Sequence, residues 1–155
     1  MNGDTTAEGG GRARSPGSRY LSEAMLYGSV GLGAAIGGTV RTGASMASVA
    51  LWGASFPIGT LIVNVLGSFL IGFYATLTGP DGRLFPSPRQ RQFFMAGFCG
   101  GLTTFSIFSL ETLLLAQRGA LDAAAANIAI SVVSWLVAVW LGHRLALRLN
   151  RLRGA

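Results

Sequence analysis

Asn64 lies inside an unbroken apolar run, Leu61-Ile62-Val63-Asn64-Val65-Leu66. A carboxamide carries two donor hydrogens and two acceptor lone pairs, so facing lipid it would be costly. It therefore faces protein or a pathway. Two roles follow: an interhelical hydrogen bond, or a neutral donor for an anion. A second cluster begins at Gly100-Gly101-Leu102-Thr103-Thr104 and continues through Phe105, Ser106, Phe108, Ser109 and Glu111. Two adjacent glycines invite a helix break, and unwound backbone exposes carbonyl oxygens of the kind that coordinate sodium at broken membrane helices. A kink without an ion is the alternative. Phe105 and Phe108 are three apart, as are Ser106 and Ser109, which puts each pair on one helical face. A phenyl ring has a positive edge and can meet an anion without bearing charge, or simply pack. Glu111 is the one acid beyond the first two residues of a predicted span, Glu23 and Asp122 lying at span starts, and is a functional candidate by position unless the span ends early and leaves it at the boundary. Arg41, at the end of the first predicted span, either gathers anions at a vestibule or anchors the helix end.

The elements that must position these residues are membrane helices. Half of the 155 residues are hydrophobic and 12% are charged, against about 25% charged in soluble domains. Charge is absent from residues 24–40, 42–80, 92–110 and 123–142. Each gap approaches or exceeds the ~20 residues that a bilayer-spanning helix needs. The pattern predicts an all-α membrane protein with four transmembrane helices over 22–41, 52–78, 91–117 and 121–146, the third broken in mid-membrane. Residues 1–21 are rich in glycine and arginine and poor in apolar residues, which predicts a disordered tail; 22–155 form the transmembrane domain. Acids before the first run, and Arg41 within the would-be cleavage region, argue against a cleaved signal peptide. Gly33-x-x-x-Gly37 is suited to close helix packing. Only Arg118-Gly119-Ala120 separates the third and fourth spans, a tight hairpin. Arg144, Arg148, Arg151 and Arg153 follow the fourth along a membrane-surface helix.

All twelve basic residues are arginine, and the net charge is +6. They flank spans rather than forming a basic face interleaved with aromatics, so nucleic acid is not the expected partner. Cys99 is the sole cysteine, which excludes an intrachain disulfide, and His143 is the sole histidine. Without a metal-ligand cluster, a nucleophile–base pair or a phosphate loop, no enzyme activity is expected. Four spans are too few to enclose a wide pathway, which predicts an oligomer.

Three stretches, residues 33–41, 57–72 and 97–111, resemble the Fluc/CrcB family of fluoride channels. The resemblance implies four-helix subunits paired antiparallel, in dual topology, into a dimer with two pores in the cell membrane, exporting cytoplasmic fluoride passively and relieving its toxicity. It implies a pore asparagine at Asn64, fluoride-contacting ring edges at Phe105 and Phe108, and a polar track through Ser106 and Ser109. It also implies a vestibule arginine at Arg41 and a conducting-path glutamate at Glu111. Backbone carbonyls of Gly100 and Thr103 would hold a structural Na+ at the dimer axis. The family usually has threonine where this chain has Ile107, so one hydroxyl of the track is missing. Two other readings are a small multidrug-resistance-type transporter, which needs a membrane-embedded carboxylate in the first span where this chain has only Glu23 at the edge, and a non-conducting scaffold subunit. With the N-terminus cytoplasmic, ten arginines fall on that side and only Arg41 and Arg118 on the other. The positive-inside rule then favours one orientation, so the antiparallel partner is either the chain itself or an oppositely oriented paralogue.

Overall fold

A computed structural model describes residues 16–151, all of the regular structure helical. The order is α1 (Pro16–Trp52), α2 (Ile58–Leu77), a third segment and α6 (Leu121–Arg151). The third segment is built from α3 (Pro88–Gln92), a π-helical stretch (Phe93–Cys99), α4 (Gly100–Leu102) and α5 (Phe105–Gln117). Among the described residues, three helices are long and apolar enough to cross a membrane: α2, the third segment as Pro88–Gln117, and α6. At 37 residues α1 has the length, but glycine, serine and threonine dilute its apolar residues.

Several boundaries differ from those expected. Residues 16–21, assigned to the tail, begin α1. Once a helix is nucleated, each added residue gains a hydrogen bond at little cost, and proline is tolerated at the first position. Residues 1–15 lie outside the described region. The first helix does not stop at Arg41 but continues to Trp52, which was assigned to the second span; α2 starts only after Pro57. At its other end, α6 continues past residue 146 to Arg151.

The glycines explain the packing. Gly33 and Gly37 of α1 are buried, and a Cβ on Gly33 would sit 2.5 Å from the Phe93 carbonyl oxygen. A Cβ on Gly37 would collide with the Phe98 carbonyl. Opposite them, Gly97 and Gly101 press on the backbone of Val30 and Ala34. Two glycine pairs, each four residues apart, thus let α1 and the third segment approach backbone to backbone, as small residues do in membrane interfaces. The α2–α6 contact works similarly, with Gly72 beneath Val139 and Gly142 beneath Phe69. Trp135 lines a groove with Asn64 and Ser68 nearer the start of α2, and Asn150 bonds Thr76 near its end, so α2 and α6 run parallel. The hairpin between α5 and α6 closes on Gly119, whose φ is +80°. The Gly119 N–H donates to Ala116 and the Ala120 N–H to Leu115, both at 3.0 Å. This is a Schellman cap, which favours glycine at its left-handed position.

Adding one methyl group at the α1 contact is expected to be costly. Gly37→Ala should lower stability by about 1–3 kcal/mol through overpacking. Gly28→Ala, with nothing within 4 Å of the new Cβ, should be neutral or mildly stabilising in its helix. Thermal unfolding of the two purified variants in one detergent checks the contrast; equal midpoints would contradict it.

Candidate functional site

The helical third segment is interrupted, but the glycines do not interrupt it. Gly100 is helical, with φ −64° and ψ −36°, and Gly101 is within α4. Both serve the helix, Gly101 as a contact with α1. The chain opens at Thr103 (φ −83°, ψ 156°) and Thr104 (φ −152°, ψ 124°), both extended. What holds it open is Asn64. Its Nδ2 donates to the Thr104 carbonyl at 2.9 Å, and the Thr104 N–H donates to its Oδ1 at 2.7 Å. Both residues are buried, so this two-point clasp works in a low-dielectric setting where each bond is strong. Thr104 also starts the resumed helix, its hydroxyl accepting from the Ile107 N–H at 3.1 Å.

The clasp has a consequence for the carbonyls. In a continuous helix the Thr104 N–H would close onto Gly100 and the Ile107 N–H onto Thr103. Here those donors go to Asn64 and to the Thr104 hydroxyl. The Gly100 and Thr103 carbonyls are thereby released from their usual partners. Arg41 takes up part of this freedom, its guanidinium donating to the Thr103 carbonyl at 3.4 Å. Rather than ending its helix, Arg41 reaches across from the middle of α1 to the break.

A groove of about 450 Å³ runs beside the break, lined among others by Asn64, Ser68, Gly100, Thr103, Phe105 and Trp135. Asn64 spends one N–H and one lone pair on Thr104, leaving its second N–H for another partner. Phe105 and Phe108 do not share one environment. Phe105 is 71% exposed and Phe108 only 6%. Their rings nevertheless touch, with centroids 5.6 Å apart, and Phe108 meets Trp135 edge to face at 4.9 Å. Ser106 and Ser109 are exposed. The Ser109 hydroxyl donates to the Phe105 carbonyl of its own helix at 2.8 Å, while the Ser106 hydroxyl lies 3.2 Å from that of Thr104.

Glu111 belongs to a separate pocket of about 170 Å³, shared with Ser48, Thr60 and Arg118. Its Oε1 accepts from the Thr60 hydroxyl at 2.9 Å, whereas Oε2 is buried with no hydrogen-bond partner. The structure thus gathers Asn64, Gly100, Thr103 and Phe105 at one groove, with Phe108 behind them. Glu111 stands apart, and Arg41 touches the break from outside.

Several residues that the sequence reading did not single out join this arrangement. Asn127, Ser131 and Trp135 recur every four residues on α6, as Thr60, Asn64 and Ser68 do on α2. That spacing stacks them on one helix face, and it was the available signal. Asn127 and Ser131 are each 1% exposed; the Asn127 amide donates to the Thr112 hydroxyl at 2.8 Å. The Trp135 indole N–H is buried without an acceptor, and a group that only donates in that position costs about 1–3 kcal/mol unless something accepts from it. Among the described residues no group of three or more His, Cys, Asp and Glu side chains is arranged to hold a metal.

This bundle of apolar helices, with an interrupted segment beside a polar groove, defines a multi-pass membrane protein. The profile of one protein family, described as "CrcB-like protein, Camphor Resistance (CrcB)", matches residues 29–143, and the chain belongs to that family. It is 58% identical over 131 residues to "Fluoride-specific ion channel FluC 1" of Rhodopseudomonas palustris (strain BisB18), covering 84% of this chain and 93% of that one. It is 55% identical over 131 residues to "Fluoride-specific ion channel FluC 1" of Bradyrhizobium diazoefficiens, covering 84% and 90%. To "Fluoride-specific ion channel FluC" of Rhodospirillum rubrum it is 54% identical over 126 residues, covering 81% and 98%.

Removing the clasp is expected to destabilise the fold. Asn64→Ala leaves the Thr104 N–H and carbonyl buried and unpaired, a loss of about 1–3 kcal/mol. Denaturant unfolding in micelles checks this, with Leu66→Ala on the exposed side of α2 as the reference. A smaller loss at Asn64 than at Leu66 would contradict the role of the amide.

Proposed function

We propose that this chain is a fluoride channel that lets cytoplasmic fluoride leave the cell passively, without catalysing a reaction. The observation that carries this is the chemistry of the groove beside the break. It offers donors and no fixed cation: the second Asn64 N–H, the unpaired Trp135 N–H, nearby hydroxyls and the exposed Phe105 ring. Fluoride is small and strongly hydrated, and replacement donors must compensate for lost water. A lysine or arginine within the groove would hold the ion; neutral donors and ring edges bind weakly enough for release, as conduction requires. The names of the close relatives support the same ion.

The roles follow from position. Asn64 and Trp135 donate to the anion in the groove. Phe105 and Phe108 present ring edges further along, Ser106 and Ser109 extend a polar track, and Glu111, held by Thr60, lines the far pocket on the conducting path. Arg41 draws anions toward the entrance.

The working unit is an antiparallel dimer in which α1 serves as a fourth span. Support comes from Phe105 and Gly100, both exposed on a single chain although they border the groove. The partner is a second copy or an oppositely oriented paralogue. A structural Na+ at the dimer axis fits the donor set. Hard cations take oxygen ligands, and the Gly100 and Thr103 carbonyls have lost their helical donors. A carbonyl has two lone pairs, so the contact between Arg41 and Thr103 does not exhaust it. When bound, the ion would supply positive charge at the break; the protein's part is to keep these carbonyls free of their helical donors.

The test is fluoride efflux from liposomes, read with a fluoride electrode. The purified chain alone should conduct if it pairs with itself, and only with its paralogue if it does not. Replacing both Phe105 and Phe108 by isoleucine should abolish efflux. Trp135→Phe keeps the ring and removes only the N–H, and should lower efflux roughly tenfold, the equivalent of one lost donor. Unchanged efflux in the Phe105→Ile/Phe108→Ile variant would remove these rings from the path.

A further inference from the structure

The C-terminal end of α6 carries a second groove, of about 660 Å³, that no part of the conduction pathway uses. Its upper wall is Arg144, Arg148 and Arg151; its lower part is Trp140, Leu141 and Phe69, the last contributed by α2. Positions 144, 148 and 151 fall at i, i+4 and i+7, on one face of the helix. All three arginines are exposed, and no ion pair joins them to a described residue. The Arg144 guanidinium lies 5.1 Å from the centre of the Trp140 ring, a cation–π contact that fixes it over the apolar part of the groove.

The depth of this groove is set by side-chain bonds to α2. The Thr76 hydroxyl and His143 Nδ1 are 2.8 Å apart, the Asn150 amide donates to the Thr76 carbonyl at 3.2 Å, and the Arg83 N–H donates to Asn150 Oδ1 at 3.2 Å. The end of α6 is therefore level with the end of α2, at Leu77, and with the turn that follows. With 20 residues, α2 is about 30 Å long, the thickness of a bilayer's hydrocarbon core. Arg148 and Arg151 then stand at headgroup height, while Phe69, Trp140 and Leu141 face the acyl region beneath.

We propose that this groove binds an anionic phospholipid, the arginines holding its headgroup phosphate and the apolar floor its upper acyl chain. Free phosphate would satisfy the arginines alone; only a lipid satisfies both halves. Juxtamembrane arginine clusters attract anionic lipid, and here the cluster is joined to an apolar slot that sets a position for one molecule.

The experiment uses the full chain purified in a neutral detergent. Native mass spectrometry and thermal unfolding are followed while phosphatidylglycerol, phosphatidylcholine or inorganic phosphate is added. Phosphatidylglycerol should remain bound and raise the midpoint; phosphatidylcholine and phosphate should not. The variant Arg144→Gln/Arg148→Gln/Arg151→Gln should lose phosphatidylglycerol affinity on the order of 100-fold, in keeping with three surface arginines near anionic lipid, while unfolding at the wild-type midpoint without lipid. Should the triple variant not fold, Arg148→Gln alone gives the same reading at roughly a fivefold loss. Equal retention of phosphatidylglycerol by wild type and variant would overturn the proposal. So would an equal response to inorganic phosphate, or a loss of dimer in the variant without lipid, which would assign the face to a second copy.

Discussion

Two hydrogen bonds between one side chain and the backbone of one residue organise this protein. The Asn64 amide pairs with both the N–H and the carbonyl of Thr104, and so substitutes for the helical partners that Thr104 gives up. Backbone opened inside a membrane is tolerated only where protein or water satisfies it. Here a single amide satisfies both groups of the residue at the break. The release of the Gly100 and Thr103 carbonyls from their helical donors, the cap on α5 and the wall of the groove all depend on it. Because the clasp spans two segments, it also fixes α2 against the third segment at the level where the proposed path runs.

The glycines carry a different load. Gly33, Gly37, Gly97 and Gly101 bring α1 onto the third segment at backbone contact, which leaves no room for a side chain between them. That closeness is what allows Arg41, in the middle of α1, to reach the Thr103 carbonyl. Packing and polarity are thus separated along the same stretch of chain: small residues toward α1, and polar or aromatic ones toward the groove. Within the groove, donors without fixed charge suit an anion that must be desolvated and then released.

Much of this was legible in the sequence. Charge-free gaps marked the helices, because lipid excludes charge, and Asn64 stood out because an amide in an apolar run needs a partner. What sequence alone left open was the partner itself, since the contact between Asn64 and Thr104 joins residues far apart in the chain. By sequence the break runs from Gly100 to Thr103, whereas the chain opens only at Thr103 and Thr104, because glycine signals both a broken helix and a close contact, and only the neighbour decides between them. Phe105 and Phe108 share a face by spacing, yet one is exposed and the other buried against Trp135, a difference that three-residue periodicity does not encode. Charge ordinarily ends a span, so the sequence puts Arg41 at a span end, as vestibule or anchor; in α1 its guanidinium finds a carbonyl and the helix continues. The four-residue ladder of Asn127, Ser131 and Trp135 was readable but overlooked, since a serine and a tryptophan attract less notice than an amide or an acid.

The claim that Asn64, and not the glycine pair, creates the break is tested most directly by the backbone chemical shifts of Thr103 and Thr104, measured by solid-state NMR of the protein in lipid bilayers. Both residues should show extended shifts in the wild type and in Gly100→Ala, whose new Cβ meets nothing nearer than 3.9 Å. In Asn64→Leu they should leave the extended range. Extended shifts that survive in Asn64→Leu but vanish in Gly100→Ala would contradict the account.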